Sequence, residues 1–314
     1  MMKRVVGTPR TALGRRSPVR TALTPLLGLV LAAPAAAAQT PPTPVDSAGG
    51  RPPAFAWDPN DPRPGLAAGW MDAESAIRGL ELVSSLPRPE GFFNPATPDD
   101  RRFFNSDLAF RGSYLFQGNY QGFQVFDISN PADPRHVVSV LCPGGQGDVS
   151  VYQNILVMSA QESRGRVDCG LEGVADSIST ERLQGIRIFD ISNIREPRQV
   201  AVVQACRGSH THTLVTDPRD PEHVYVYIQG TSPVRPAEEL PGCVDSGPED
   251  PNTSLFRIEV VRIPLARPER AEIVSMPRIF ADRETGRLDG LWSGGDHGPG
   301  TQRTSSTNRC HDIT

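Results

Sequence analysis

From Asp107 onward, apolar residues come in short runs that turn residues interrupt at regular intervals. DLAF, YLFQGNY, FQVFDI and HVVSVL are separated by RGS, QG and SNPADPR. Runs this short, rich in β-branched and aromatic residues and bounded by Gly, Pro, Asn and Asp, predict four strands. The pattern then starts again with DVSV, ILVMSA, IRIFDI and QVAVVQA. A third, degraded copy holds HTLVT, HVYVYIQG, SLFRIEVVRIPL and AEIVSM, and HDIT at 311–314 reads as the start of a fourth.

The first two copies match closely. Residues Gly122 to Asn130 (GFQVFDISN) and Gly185 to Asn193 (GIRIFDISN) share six of nine residues at an offset of 63. Pro134 and Pro197 keep that offset. In the third copy Ile263-Pro264 is aligned with Ile-Ser of the motif. Such repeats predict an all-β chain: a β-propeller of four-stranded antiparallel blades, each burying its faces by stacking on its neighbours. The expected blades are 107–147, 148–211 and 212–309, with a further one beginning at 310. Asp127 and Asp190 end the third strands, where a carboxylate accepts hydrogen bonds from the amides of an Asx turn.

Upstream the pattern differs. Residues 39–104 read as a Pro-rich tether, with a short amphipathic helix near 66–79 (Leu66, Trp70, Ala73, Ile77) and a strand at Leu80–Leu86. Residues 1–38 carry six basic residues and no acid, then an uncharged Leu/Ala run from Ala22 ending in Ala36-Ala37-Ala38. That order reads as a signal peptide cleaved after Ala38. The run is short for a membrane span and holds Pro25 and Pro34, so no transmembrane anchor is expected after cleavage. The expected location is periplasmic or secreted.

Removing residues 1–38 moves the formal net charge from −4 to −10. That balance argues against nucleic acid as a partner. The 29 glycines and 31 prolines are too many for a helical bundle.

The phrases FQVFDISNPADP and IRIFDISNIREP resemble the LVIVD-repeat proteins, exported bacterial β-propellers named for that third strand. The resemblance is good over 107–204 and looser over 205–314. It implies a ring with more repeats than this chain holds, so the chain reads as an incomplete propeller of about three blades. An unclosed stack would leave an apolar sheet face exposed, with poor solubility. The strand Leu80–Leu86 is then a candidate outer strand for a last blade.

All five cysteines lie after residue 38, where disulfides are the default. Cys142 and Cys206 follow fourth strands, and Cys169 and Cys243 come next. The simplest pairing is Cys142–Cys169 and Cys206–Cys243, leaving Cys310 without a partner in this chain. Four cysteines allow three connectivities, and spacing does not choose among them.

Candidate chemistry lies in the loops. Insertions at 161–184 and 230–256 interrupt the second and third repeats, and a Gly-, Ser- and Thr-rich stretch runs from Ala281 to Arg309. His212 and His311 precede inner strands, in phase with Asp107 and Asp148. With His210, Asp296, His297 and Asp312 they form a candidate divalent-metal set at one channel mouth. The plainer reading is a ring of polar strand-start residues. The acidic loop 244–251 suits calcium better than a metal that prefers imidazole. Neither glycine-rich stretch sits in a strand–loop–helix unit, and no nucleophilic triad is apparent. The expected function is a binding or scaffolding module at the cell envelope, with a protein or small ligand on the loop face. The alternative is a metal-dependent enzyme with its site at the channel mouth.

Overall fold

In the computed structural model the chain divides between Ala54 and Phe55. The structure describes residues 60–69, 72–288, 294–301, 303, 304, 309, 312 and 313, all in the second part. The expected signal peptide and most of the tether lie outside them.

Among the described residues twelve strands form three antiparallel four-stranded sheets, each a meander of consecutive strands. The first holds β1 (Asn105–Arg111), β2 (Tyr114–Asn119), β3 (Gly122–Asp127) and β4 (Arg135–Leu141). The second holds β5 (Val149–Tyr152), β6 (Ile155–Ala160), β7 (Gly185–Asp190) and β8 (Arg198–Gln204). The third holds β9 (Thr211–Val215), β10 (His223–Gln229), β11 (Glu259–Pro264) and β12 (Glu272–Ser275). Among the described residues there is no α-helix, only two short 3-10 turns.

Burial explains the patterns. The middle strands are covered on both faces, so β3, β6 and β7 read as nearly continuous apolar runs. The outer strands β4 and β12 have exposed positions and read as mixed. Alternate residues of one strand serve two cores. Ile186 and Ile188 pack with Val224, Val226 and Ile228 of the third sheet. Phe189, Leu156 and Met158 pack with Phe116, Phe123 and Val125 of the first. Phe123 and Phe189 meet edge to face at 5.1 Å between ring centroids. Each fully buried side chain of this kind stabilises by roughly 1.5–3 kcal/mol.

The repeat is structural as well as sequential. Ser129 N donates to Asp127 Oδ1 at 2.9 Å, and Ser192 N donates to Asp190 Oδ1 at 2.8 Å. These are the expected Asx turns, and the Ser129 amide holds the Asp127 carboxyl below its ordinary range. The third sheet corrects the sequence alignment. Asp127 stands opposite Tyr114, Asp190 opposite Ile155, and Pro264 opposite His223. Pro264 therefore replaces the motif aspartate, two positions from where the letters place it. The turn survives through the backbone: Leu265 N donates to Glu222 O at 2.9 Å, as Ile191 N donates to Asn154 O at 2.8 Å.

Two expectations upstream are overturned. Described residues at 66–69 and 72–86 form neither helix nor strand. Leu66, Ile77, Leu80 and Leu82 are exposed, so the apolar spacing has no face to bury and nothing to hold a helix. Residues 84–92 instead run beside the first sheet. Ser84 Oγ donates to Pro131 O at 2.8 Å, and Phe92 is buried.

Candidate functional site

Both large insertions join a second strand to a third: 161–184 between β6 and β7, and 230–258 between β10 and β11. In the first sheet the same connection is a tight turn at Tyr120-Gln121. Because neighbouring strands are antiparallel, the first strand of each sheet also begins at this end. The sheets thus bring the insertions and the residues around Asp107, Asp148 and His212 to one end.

Each insertion is bonded to its surroundings. Cys142 is joined to Cys169 and Cys206 to Cys243. The insertions are also joined to each other through buried charge. Glu239, with a fully buried side chain, pairs with Arg182 and accepts from Arg235 Nε at 2.6 Å. The oxygen that meets Arg182, Oε2, also accepts from Ser179 N at 2.8 Å. Arg182 donates further to the carbonyls of Ser163, Ser177 and Asp176. A carboxylate flanked by two guanidiniums, with backbone carbonyls taking the remaining donors, is how buried charge becomes tolerable.

Gln161 is a second joint. Its Oε1 lies 2.7 Å from His210 Nδ1 and accepts from Thr231 Oγ1 at 2.8 Å. Its carbonyl accepts from Ser232 Oγ at 2.7 Å and Gln184 Nε2 at 2.6 Å. Arg187 is a third. It is fully buried in β7, facing the first sheet, where it donates to Arg166 O at 2.6 Å, Pro143 O at 2.9 Å and Gln199 Oε1 at 3.2 Å. Burial pulls its guanidinium down to about 10, and the charge of Asp168 opposes this only in part.

A polar chain links the first strands. Asp107 lies near enough to Asp148 for the two carboxyls to influence each other. Asp148 Oδ2 in turn accepts from His212 N at 2.8 Å and lies 2.9 Å from His212 Nδ1. Ser159 Oγ sits 2.9 Å from the same ring nitrogen and 2.8 Å from Ser209 Oγ. Burial pushes the Asp148 carboxyl up, but the influence of His212 and Asp107 outweighs it and the net shift is downward. Burial and the neighbouring Asp148 raise Asp107.

The structure describes five of the six candidate metal ligands and engages them separately. His212 is engaged with Asp148, and His210 with Gln161. Asp312 accepts from Thr211 Oγ1 at 2.8 Å on the first strand of the third sheet. Asp296 pairs loosely with Arg303 at 3.4 Å, and His297 Nε2 lies 3.2 Å from Thr304 Oγ1, both in an exposed loop. His311 and Cys310 lie outside the described residues. Among the described residues, no three His, Cys, Asp or Glu side chains converge to hold a metal ion.

Sequence reasoning passed over Arg187, Gln161 and the Arg182–Glu239–Arg235 group. Arg187 had a signal: a charge inside the run IRIFDI, at the position where the first copy has Gln124. Glu239 had none, because its partners lie up to 60 residues away.

No described helix is long and apolar enough to cross a membrane. No protein-family profile matches the sequence, and the search of curated proteins finds no match. Among solved structures, hydrazine synthase of Kuenenia stuttgartiensis is similar at 12% identity and TM-score 0.29, over 54% of this chain and 35% of that one. The phage phi92 endosialidase is similar at 8% identity and TM-score 0.31, over 56% and 27%. Citrobacter koseri AztD is similar at 14% identity and TM-score 0.21, over 56% and 58%. The aligned part is thus about a quarter to somewhat over half the length of these proteins, and likeness this distant carries no argument about activity.

Proposed function

We propose that this chain is an exported β-propeller protein of the LVIVD-repeat type, acting as a binding or scaffolding module at the cell envelope. In this reading the three sheets are successive blades, residues 1–38 direct export, and the two disulfides suit an oxidising compartment. The partner docks on the end that carries the insertions.

One observation carries the reading. The two insertions are stapled by disulfides and locked together by Arg182, Glu239 and Arg235, yet the first of them presents Leu171 and Ile178 to solvent. A loop held rigid while exposing apolar side chains loses little entropy when it binds, and such preorganisation is what recognition surfaces use. A loop serving only to connect strands needs neither device.

Site-specific photo-crosslinking tests it. A photoreactive residue at Leu171 is compared with one at exposed Arg195, in the turn at the opposite end of the second sheet. Discrete crosslinked envelope species at 171, absent at 195, are expected. Equal or no labelling at the two positions overturns the assignment.

A further inference from the structure

The two disulfides differ in the charge beside them. Arg187 Nη1 lies 3.7 Å from Cys169 Sγ and donates at 3.2 Å to Gln199 Oε1, which is itself 3.4 Å from that sulfur. The guanidinium also donates to the carbonyls of Pro143, beside Cys142, and of Arg166, three residues before Cys169. Among the described residues no carboxylate is bonded to it. Asp168, next to Cys169, is engaged instead by Arg166, whose Nε and Nη2 each donate to it at 2.9 Å. A buried cation whose hydrogen bonds all go to neutral acceptors is costly. Cys169 Sγ is the contact that becomes an anion when the disulfide opens.

Cys206–Cys243 supplies the comparison. Arg257 Nη2 touches Cys206 Sγ, but it also donates to Glu259 Oε1 at 2.7 Å. A thiolate there would meet a cation that already has its carboxylate. Both cysteines of that pair are 5% exposed, whereas Cys169 is half-buried and open to attack. Cys169 also has φ 63°, a left-handed backbone that a residue with a Cβ adopts at a cost and that it can leave once the bridge opens. The repeat adds a second contrast. At the register of Arg187 the first sheet has Gln124, equally buried, and the following connection of that sheet carries no insertion. Arginine enters the strand together with the cysteine-bearing insertion.

We propose that Cys142–Cys169 is a thiol–disulfide exchange site: a dithiol reduces it in preference to Cys206–Cys243, and its reduced form holds Cys169 as a thiolate against Arg187. One thiolate of the dithiol attacks Cys169 Sγ. The protein S–S bond breaks, a mixed disulfide forms at Cys169, and Cys142 leaves as a thiolate that takes up one proton. The second sulfur of the dithiol then attacks the first, closing a cyclic disulfide and releasing Cys169. The dithiol gives up two electrons and two protons; the protein disulfide takes the electrons, Cys142 keeps one proton, and the other goes to water. A cation that stabilises the released thiolate shifts this exchange toward reduction. The chemistry is independent of what docks on the insertions.

The test is equilibration of the folded full chain, carrying Cys310→Ser to remove the fifth cysteine from exchange, with dithiothreitol at graded ratios of reduced to oxidised form. Acid quenching, alkylation of free thiols and peptide mass spectrometry then read each pair separately. Cys142–Cys169 should reach half reduction at a ratio at least about tenfold lower than Cys206–Cys243, which corresponds to about 30 mV. Arg187→Gln, the residue of the first copy, should remove most of that difference by moving Cys142–Cys169 alone, with unchanged far-UV circular dichroism. Where Arg187→Gln fails to fold, the alkylation rate of Cys169 against pH in the reduced parent protein replaces it. Its midpoint should fall below the ordinary cysteine value of about 8.5. Two pairs that reduce together, or that both stay oxidised across the series, overturn the proposal. So does an Arg187→Gln variant that folds and reduces like its parent, or a Cys169 midpoint at or above the ordinary value.

Discussion

Asp148 Oδ2 accepts the backbone N–H of His212 at 2.8 Å and lies 2.9 Å from its Nδ1, joining the starts of β5 and β9 across 64 residues of sequence. Both side chains are almost wholly buried. Asp148→Asn keeps an oxygen acceptor but removes the charge. It should cost about 1–3 kcal/mol, read as a lower denaturant midpoint at pH 7. The sign with pH follows from the lowered Asp148 carboxyl. Its contribution is full above the ordinary aspartate value of about 3.9 and is lost as pH falls through the lowered value. The gap between wild type and Asp148→Asn should therefore close in acid, and a constant gap would show the charge to be irrelevant.

Asp107 has the opposite sign. Burial and the neighbouring Asp148 raise its carboxyl, so its contribution is present at low pH and lost as pH rises through the raised value. Asp107→Asn mimics the protonated acid and can still donate toward Asp148. It should raise the unfolding midpoint at pH 7 and make little difference near pH 3. A fall at pH 7 would show that the ionised pair is tolerated.

Glu239 is the carboxylate between Arg182 and Arg235, whose side chains are 8% and 3% exposed. Glu239→Ala leaves two buried guanidiniums without a counter-charge. The expected loss is about 3–5 kcal/mol, and it should be local before it is global. Trypsin should cut at the arginines of 161–184 and 230–258 faster than in the sheets. Cleavage unchanged by Glu239→Ala would mean the disulfides alone hold the insertions.

The sheets were legible because each strand pattern is local and repeats. The third strand buries both faces, so it reads as a continuous run, and its terminal aspartate announces the turn. The phase of Asp107, Asp148 and His212 was also legible, since strand starts recur at a fixed position. Their chemistry was not: His212 meets Asp148 of the neighbouring sheet, not histidines of its own segment. The spacing of Leu66, Ala73 and Ile77 misled, because helical periodicity counts only where a face can be buried, and here those residues meet water. Pro264 misled for a related reason. Letters were aligned by likeness, whereas the register is set by hydrogen bonds to β10.

The glycine that opens each of the first two motif copies gives the sharpest test of that register. Gly185 has φ 151°, and a Cβ there would come within 2.0 Å of Val203 O; Gly122 has φ 139° and the same approach to Val140 O. The oxygen belongs to the paired outer strand, so it cannot retreat without breaking the ladder. Gly185→Ala and Gly122→Ala should each cost at least about 2 kcal/mol, the scale of a strained backbone position. Gly112 provides the contrast: it also has positive φ, at 57°, but a Cβ there meets nothing within 4 Å. Gly112→Ala should cost only about 1 kcal/mol, the penalty of the left-handed conformation alone. Denaturant midpoints of the three variants, measured side by side, separate the two causes. Equal losses at 112 and 185 would mean that conformation and not the close approach of β8 keeps glycine in the motif.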